Sequence, residues 1–347
     1  MDLLRPLRRR AARSGRHAAT VRAAFAAVIG RPPADTELAD AAGRLDAGVL
    51  SVAELLAELA RDRPAPGTPE TVVTAPDPLT DLPAPARARA TALADMTHLG
   101  PDDFDRAWRA TIGAAEELVV GQRDYLRVHY RRFRELFNAV LALTGDNPRI
   151  LEIGTSEASR LYRQLLPDAE VVTADRPVGD DYIGFTPARS RAIADARTHV
   201  SIDLERDDPG AHAELSAAGP FDLIVFTEVL EHLVTPPDTL IAGLLARIRP
   251  AGALYITTPN FLSRANRARI ADGLNPQPFY PGSEANWDRH HHFREYTMRE
   301  LLDLVAAAGG HVDTAYYSAC WDEPDREGHA HPAQRANLVV VARRDAN

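Results

Sequence analysis

Residues 149–160, RILEIGTSEASR, constrain this chain more than any other stretch. Ile150, Leu151 and Ile153 form a short apolar run between Pro148 and Gly154, which predicts a buried strand. Gly154 permits a tight turn and a close backbone approach, and residues 159–166 predict the helix that follows. A strand, a glycine turn and a helix start present free N–H groups to a ligand. An acid, Glu152, sits inside the strand two residues before Gly154. Dinucleotide sites need G-x-G-x-x-G so that a pyrophosphate can approach the backbone. Here Ser156 and Ala158 or Ser159 fill the later glycine positions, which argues against a pyrophosphate.

Four further strands are predicted. Residues 170–173 lead into Ala174-Asp175, with Asp175 lying 23 positions after Glu152. Residues 199–202 end in Asp203-Leu204. Residues 221–226 run into Thr227-Glu228-Val229-Leu230-Glu231-His232-Leu233, and residues 253–258 end in Pro259-Asn260. An acid at the tip of the second strand is placed to accept ribose hydroxyl hydrogens, as in dinucleotide folds. Polar groups gathered at strand tips mark where open α/β sheets bind ligands, whereas a generic α/β repeat would carry them there by chance.

The E-x-G-T-S stretch resembles the first motif of class I S-adenosylmethionine-dependent methyltransferases, E-x-G-x-G-x-G, and departs from it at Ser156. The resemblance implies an α/β fold: a Rossmann-like seven-stranded sheet with helices on both faces. It implies S-adenosylmethionine held by Glu152, Gly154, Thr155, Ser156, Asp175, Asp203, Leu204 and Thr227, with Asp203-Leu204 at the adenine amino group.

Composition fits an ordinary cytoplasmic enzyme. The 347 residues suffice for one large α/β domain and a small extra module. A hydrophobic share of 45% and a charged share of 26% are normal for a globular chain. The net charge of −9 argues against a broad nucleic-acid footprint, which rests on phosphate neutralisation. All 40 basic residues are arginine. Cys320 is the only cysteine, so neither an internal disulfide nor a cysteine metal site is expected. No apolar run approaches the roughly 20 residues needed to span a bilayer.

Three regions are expected: a helical module with a basic leader (1–63), a Pro-rich linker (64–87) and a methyltransferase domain (88–347) with a helical lead-in over 88–145. Helices are predicted at 17–29, 34–46 and 51–60, with a capping-box pattern at Ser51 and Glu54. Arg22 interrupts the apolar core that a secretion signal would need. The leader's clustered arginines suit weak contact with an anionic membrane surface. The text FAAVIGRPPADTELADAAGRLDAGVLSVAELLAELA resembles a small bacterial helical module found beside glycosyltransferase domains.

Two boxes carry the expected chemistry. In Glu228-Val229-Leu230-Glu231-His232, residues three and four apart share one face if the segment is helical. Asp288-Arg289-His290-His291-His292-Phe293-Arg294-Glu295-Tyr296-Thr297 precedes a helix predicted over 298–308 and capped by Thr297. These boxes resemble those of small-RNA 3′-terminal 2′-O-methyltransferases, where two carboxylates and two imidazoles hold a divalent cation. By that resemblance Glu228, Glu231, His232 and His292 are the metal ligands. The H-x-R-E-Y-T pattern and the segment TPNFLSRANRARI resemble bacterial sugar and glycan O-methyltransferases, a likeness over residues 120–345 or so. Two oxygens and two imidazoles suit Mn²⁺, Fe²⁺ or Co²⁺ better than Mg²⁺. The alternatives are His292 or His232 as a metal-free general base, and a structural histidine cluster.

The expected reaction is therefore O-methylation of a saccharide or glycosylated small molecule. Phe279, Tyr280, Trp287, His290, His291 and Tyr296 supply mixed aromatic and polar groups suited to such an acceptor. RNA 3′-end 2′-O-methylation and a non-catalytic cofactor-binding scaffold are the competing expectations.

Overall fold

The computed structural model describes residues 17–18, 20–22, 25, 33–47, 55, 77–115, 118, 120–177, 196, 198–277, 292–320 and 332–345. The basic leader, the Ser51 cap, most of the Pro-rich segment, His290, His291 and the aromatic residues Phe279, Tyr280 and Trp287 lie outside them. The chain divides into two compact units: Met1–Thr74 with Ala268–Asn275, and Ala75–Arg267 with Pro276–Asn347.

In the first unit, helix α1 (Asp35–Asp46) carries acids in its first turn and Arg44 in its last, which complements the helix dipole. Its Ala41, Ala42 and Leu45 share a small buried core with Val21, Phe25 and Leu55.

The second unit opens with a 3-10 turn, Pro78–Asp81, followed by α2 (Ala84–Ala94) and α3 (Pro101–Trp108). The helical part thus begins inside the segment read as linker, with Pro at the starts where its missing N–H costs nothing. Then come α4 (Val120–Val128), α5 (Tyr130–Leu143), β1 (Arg149–Ile153), α6 (Tyr162–Leu165), β2 (Glu170–Asp175), β3 (Thr198–Ser201) and α7 (Ala213–Ala218). The chain continues through β4 (Phe221–Thr227), α8 (Pro237–Leu245), β5 (Ile248–Pro259), α9 (Arg264–Ala271), α10 (Met298–Ala307), β6 (Gly310–Ser318) and β7 (Asn337–Arg344).

The seven strands form one sheet in the order β3-β2-β1-β4-β5-β7-β6. The first five run parallel, and β7 pairs antiparallel with both β5 and β6. Strand alternation divides the apolar residues between two faces. Leu151, Ile153, Val172, Phe226 and Ile256 join Leu240, Leu244, Leu301 and Val305 from α8 and α10. Ile150, Leu223, Val225, Tyr255 and Val339 join Phe104, Phe133, Phe137 and Val140 from α3 and α5. Burial on both faces is what near-continuous apolar parallel strands require. Strand order reverses between β1 and β4, so the ligand crevice of this topology lies at their carboxyl ends.

Between α4 and α5, His129 is buried, and burial together with the Arg132 charge pushes its imidazole down to about 4. The unfolded chain takes up this proton near the ordinary histidine value of about 6.5, and the folded chain resists it until about 4. Stability is therefore expected to fall as pH drops through that window. In urea titrations His129→Asn should flatten the slope of stability against pH there. An unchanged slope would show that His129 does not contribute. Among the described residues no helix is long and apolar enough to cross a membrane.

Candidate active site

Beyond β1, Gly154 adopts φ +81°, a region open to glycine, and donates its N–H to the Ala174 carbonyl at 3.0 Å. A Cβ on Gly154 would stand 2.7 Å from Val229 Cγ2. Both backbone conformation and close approach therefore require glycine. Asp175, buried at the tip of β2, accepts the backbone N–H of Thr155 at 3.1 Å and of Arg176 at 2.9 Å. These bonds tie the second strand to the glycine turn and fix the carboxylate at the crevice.

Ser156 explains the departure from the glycine-rich pattern. Its Oγ accepts from the Ala158 N–H at 3.2 Å, and Ser159 Oγ accepts from the Ser156 N–H at 3.0 Å. This reciprocal cap starts a 3-10 helix, Glu157–Leu161, which passes into the single α turn of α6. The α-helix expected over 159–166 thus begins as a capped 3-10 segment to Leu161 and is α-helical only over Tyr162–Leu165. Glu152 is buried in β1, with the Tyr162 hydroxyl near enough that burial and the Glu152 charge both raise its pKa.

Beyond β3, Asp203 Oδ1 accepts from the Glu205 N–H at 3.1 Å, and the Leu204 carbonyl accepts from Thr235 Oγ1 at 3.1 Å. Ile202 donates to the Asp175 carbonyl at 2.8 Å, bringing this segment beside the β2 tip. Thr227 ends β4, paired with Thr257 of β5.

Past Thr227 the chain does not enter a helix at once. Glu228 takes φ +54°, uncommon for a residue with a side chain, and a 3-10 turn forms only at Leu230–His232. The common helical face read for Glu228, Glu231 and His232 is therefore absent. Glu228 Oε1 accepts from Thr257 Oγ1 at 2.6 Å and from Asn337 Nδ2 at 2.9 Å, and Oε2 lies 3.9 Å from Arg132 Nη1 of α5. It stitches β4, β5, β7 and α5 together.

Among the described residues, Glu231, His232 and His292 form a group able to hold a metal, their ligating atoms all within 4.8 Å of one another. Glu228 is not in that group. Glu231 is 1% exposed, and its Oε2 accepts from Thr258 Oγ1 at 2.9 Å. Burial, reinforced by the Glu228 charge, raises its pKa well above the ordinary carboxyl value. Its carbonyl accepts from the Phe293 N–H at 2.8 Å, which draws the His292 segment against the turn. The His232 and His292 ring centroids stand 5.0 Å apart. Sequence reasoning missed Asn337, Asn266 and the contact made by Arg132. Each acts through a distant partner, and local spacing carries no signal for such pairs.

A switch-point crevice with acids at the strand tips is where an open α/β sheet binds a ligand. A family model described as a methyltransferase domain matches residues 125–314, more than half of the chain, and the protein belongs to that family. Solved structures similar to it include a TehB-like S-adenosylmethionine-dependent methyltransferase from Corynebacterium glutamicum, at 16% identity, 70% of this chain, 97% of that one and a TM-score of 0.37. The 1,6-didemethyltoxoflavin-N1-methyltransferase of Burkholderia thailandensis shares 17% identity over 76% of this chain and 92% of its own, with a TM-score of 0.38. Magnesium protoporphyrin IX methyltransferase from Synechocystis shares 15% over 74% and 100%, with a TM-score of 0.40. Comparison with curated proteins finds no match.

Proposed function

We propose that the protein transfers a methyl group from S-adenosylmethionine to a hydroxyl oxygen of a saccharide or glycosylated small molecule, assisted by a divalent cation. The observation that carries this reading is the convergence of Glu231, His232 and His292 within 4.8 Å, just past the tip of β4. One carboxylate and two imidazoles are a donor set suited to a borderline cation such as Mn²⁺. Glu228, assigned to the same ion on resemblance alone, is better read as the wall behind it, since its oxygens serve Thr257, Asn337 and Arg132.

The donor reading draws support from Asp175 and from the Gly154 turn beside it, at the carboxyl end of β1. Asp175 would accept from the ribose hydroxyls, and Glu152, Thr155, Ser156, Asp203, Leu204 and Thr227 would line the rest. Bound there, S-adenosylmethionine supplies an electrophilic methyl group on sulfur. A cation at Glu231, His232 and His292 would lower the pKa of a neighbouring hydroxyl. The acceptor oxygen would form the new C–O bond as the donor's C–S bond breaks, with that electron pair left on sulfur as S-adenosylhomocysteine. The hydroxyl proton would pass to water, since both imidazoles would be held by the cation. Alignment of oxygen, carbon and sulfur by the two sets of residues supplies much of the remaining rate.

A second reading, a histidine base without metal, is favoured by one contact: His292 Nδ1 lies 2.9 Å from Glu295 Oε1, the orientation a general base needs. The deciding experiment is an acceptor screen with glycans and nucleosides, with and without added Mn²⁺ or Mg²⁺, reading S-adenosylhomocysteine. Turnover on a saccharide, stimulated by Mn²⁺, is the expected result. Turnover on nucleosides alone would overturn the acceptor class, and no S-adenosylmethionine binding would overturn the reading.

A further inference from the structure

We propose that Glu295 is a positioning residue, which with Asn266 fixes His292 in the tautomer that carries its hydrogen on Nδ1 and its lone pair on Nε2. The inference rests on the reading above only in taking His292 as a working group of the site.

Glu295 lies between two anchored points. On one side, Phe293 and Arg294 donate backbone N–H groups to the Glu231 carbonyl at 2.8 and 3.4 Å. On the other, Phe261 donates to the Tyr296 carbonyl at 2.9 Å, and Thr297 caps α10 by accepting the Glu300 N–H. The Glu295 side chain is 11% exposed, against 33% for His292. Oε1 meets His292 Nδ1 at 2.9 Å, and Oε2 accepts from Asn266 Nδ2 at 2.7 Å. Asn266 Nδ2 also reaches the Asn260 carbonyl at 3.4 Å, and Asn260 is pinned past the end of β5 by bonds to the Ala333 and Arg335 carbonyls. A chain of contacts thus runs from the sheet to a partly exposed imidazole.

A carboxylate only accepts, so the hydrogen in the Glu295–His292 bond sits on Nδ1. Nε2 is the atom left for a cation or for the proton of a hydroxyl. Carboxylates that hold a ligand histidine in this way are worth about 10–100-fold in metal affinity. Nothing in the spacing of His292 and Glu295 announces the Asn266 contact, which spans 29 residues.

The test uses ¹⁵N-histidine-labelled full-length protein, Mn²⁺ alone as the metal probe, and S-adenosylhomocysteine binding as a check on the fold. The wild type is expected to show a protonated Nδ1 at His292. Glu295→Ala should move the hydrogen to Nε2, the form an unconstrained imidazole prefers, and weaken Mn²⁺ binding about 10–100-fold with S-adenosylhomocysteine binding retained. Glu295→Gln, whose side-chain oxygen still accepts, should keep the tautomer and recover part of the affinity. Should Glu295→Ala fail to fold, the wild-type spectrum and Glu295→Gln carry the test. A wild type protonated at Nε2, or a Glu295→Ala protein with unchanged tautomer and Mn²⁺ affinity, overturns the proposal. A wild type that binds no Mn²⁺ but has the expected tautomer, reversed in Glu295→Ala, supports the positioning role and removes the metal from the proposed function.

Discussion

Glu231→Gln is expected to lower kcat for methyl transfer by about 10²–10⁴-fold while leaving S-adenosylhomocysteine affinity near that of the wild type. Glutamine keeps the volume at a position 1% exposed and can still accept from Thr258 Oγ1, so the fold has little reason to change. What disappears is the carboxyl group able to ligate a cation beside His232 and His292. The crevice at Gly154 and Asp175, where we propose the donor binds, is built from other strand tips, which is why binding and turnover should separate. His292→Ala should cost a similar factor, and the double variant should cost much less than the product, because groups that act as a unit are not additive. Steady-state assays with and without a chelator distinguish the mechanisms. Loss of activity in chelator, restored by Mn²⁺, accompanies the metal mechanism. Activity that survives chelator but not His292→Ala belongs to the histidine base. If both variants remain active in chelator, the group has no part in the reaction.

The parallel strands were legible in the chain, the fully buried ones as apolar runs, whereas β6 and β7 were implied by the resemblance and not placed. The first, second and fourth strands lie within a residue or two of expectation, as does the Thr297 cap, whose reciprocal bonds with Glu300 are local. The fifth strand begins five residues early, at Ile248, across an irregularity where Ala251 takes φ +66° and the register to β4 shifts. Pro250 and Gly252 disfavour a strand locally, and the tertiary pairing overrides them. The site was legible as a set of residue types but not as a set of contacts. Glu228 and Glu231 look equivalent in E-V-L-E-H, yet one backbone angle at Glu228 turns it toward Asn337, 109 positions away. The Ser156 departure, which looks like a weakened donor motif, is a working cap.

Gly154→Ala should weaken donor binding by about 30-fold or more, the equivalent of ~2 kcal/mol. A methyl group at φ +81° incurs the left-handed penalty, about 1–2 kcal/mol. It also meets Val229 Cγ2 at 2.7 Å, an overlap that typically costs about 1–3 kcal/mol to relieve. The chain can lower both costs only by shifting the turn, and the turn carries the Thr155 N–H that holds Asp175 at 3.1 Å. A shift therefore moves the carboxylate proposed to take the ribose hydroxyls, so a backbone change is felt as lost affinity. Some of the cost will remain as strain and lower the melting temperature. Val229→Ala in the same chain removes the overlap but not the dihedral penalty, so the pair should recover part of the affinity in a double-mutant cycle. Calorimetry with S-adenosylhomocysteine on the four proteins of the cycle reads each share. A Gly154→Ala protein that binds like the wild type would mean that the donor does not lie against this turn.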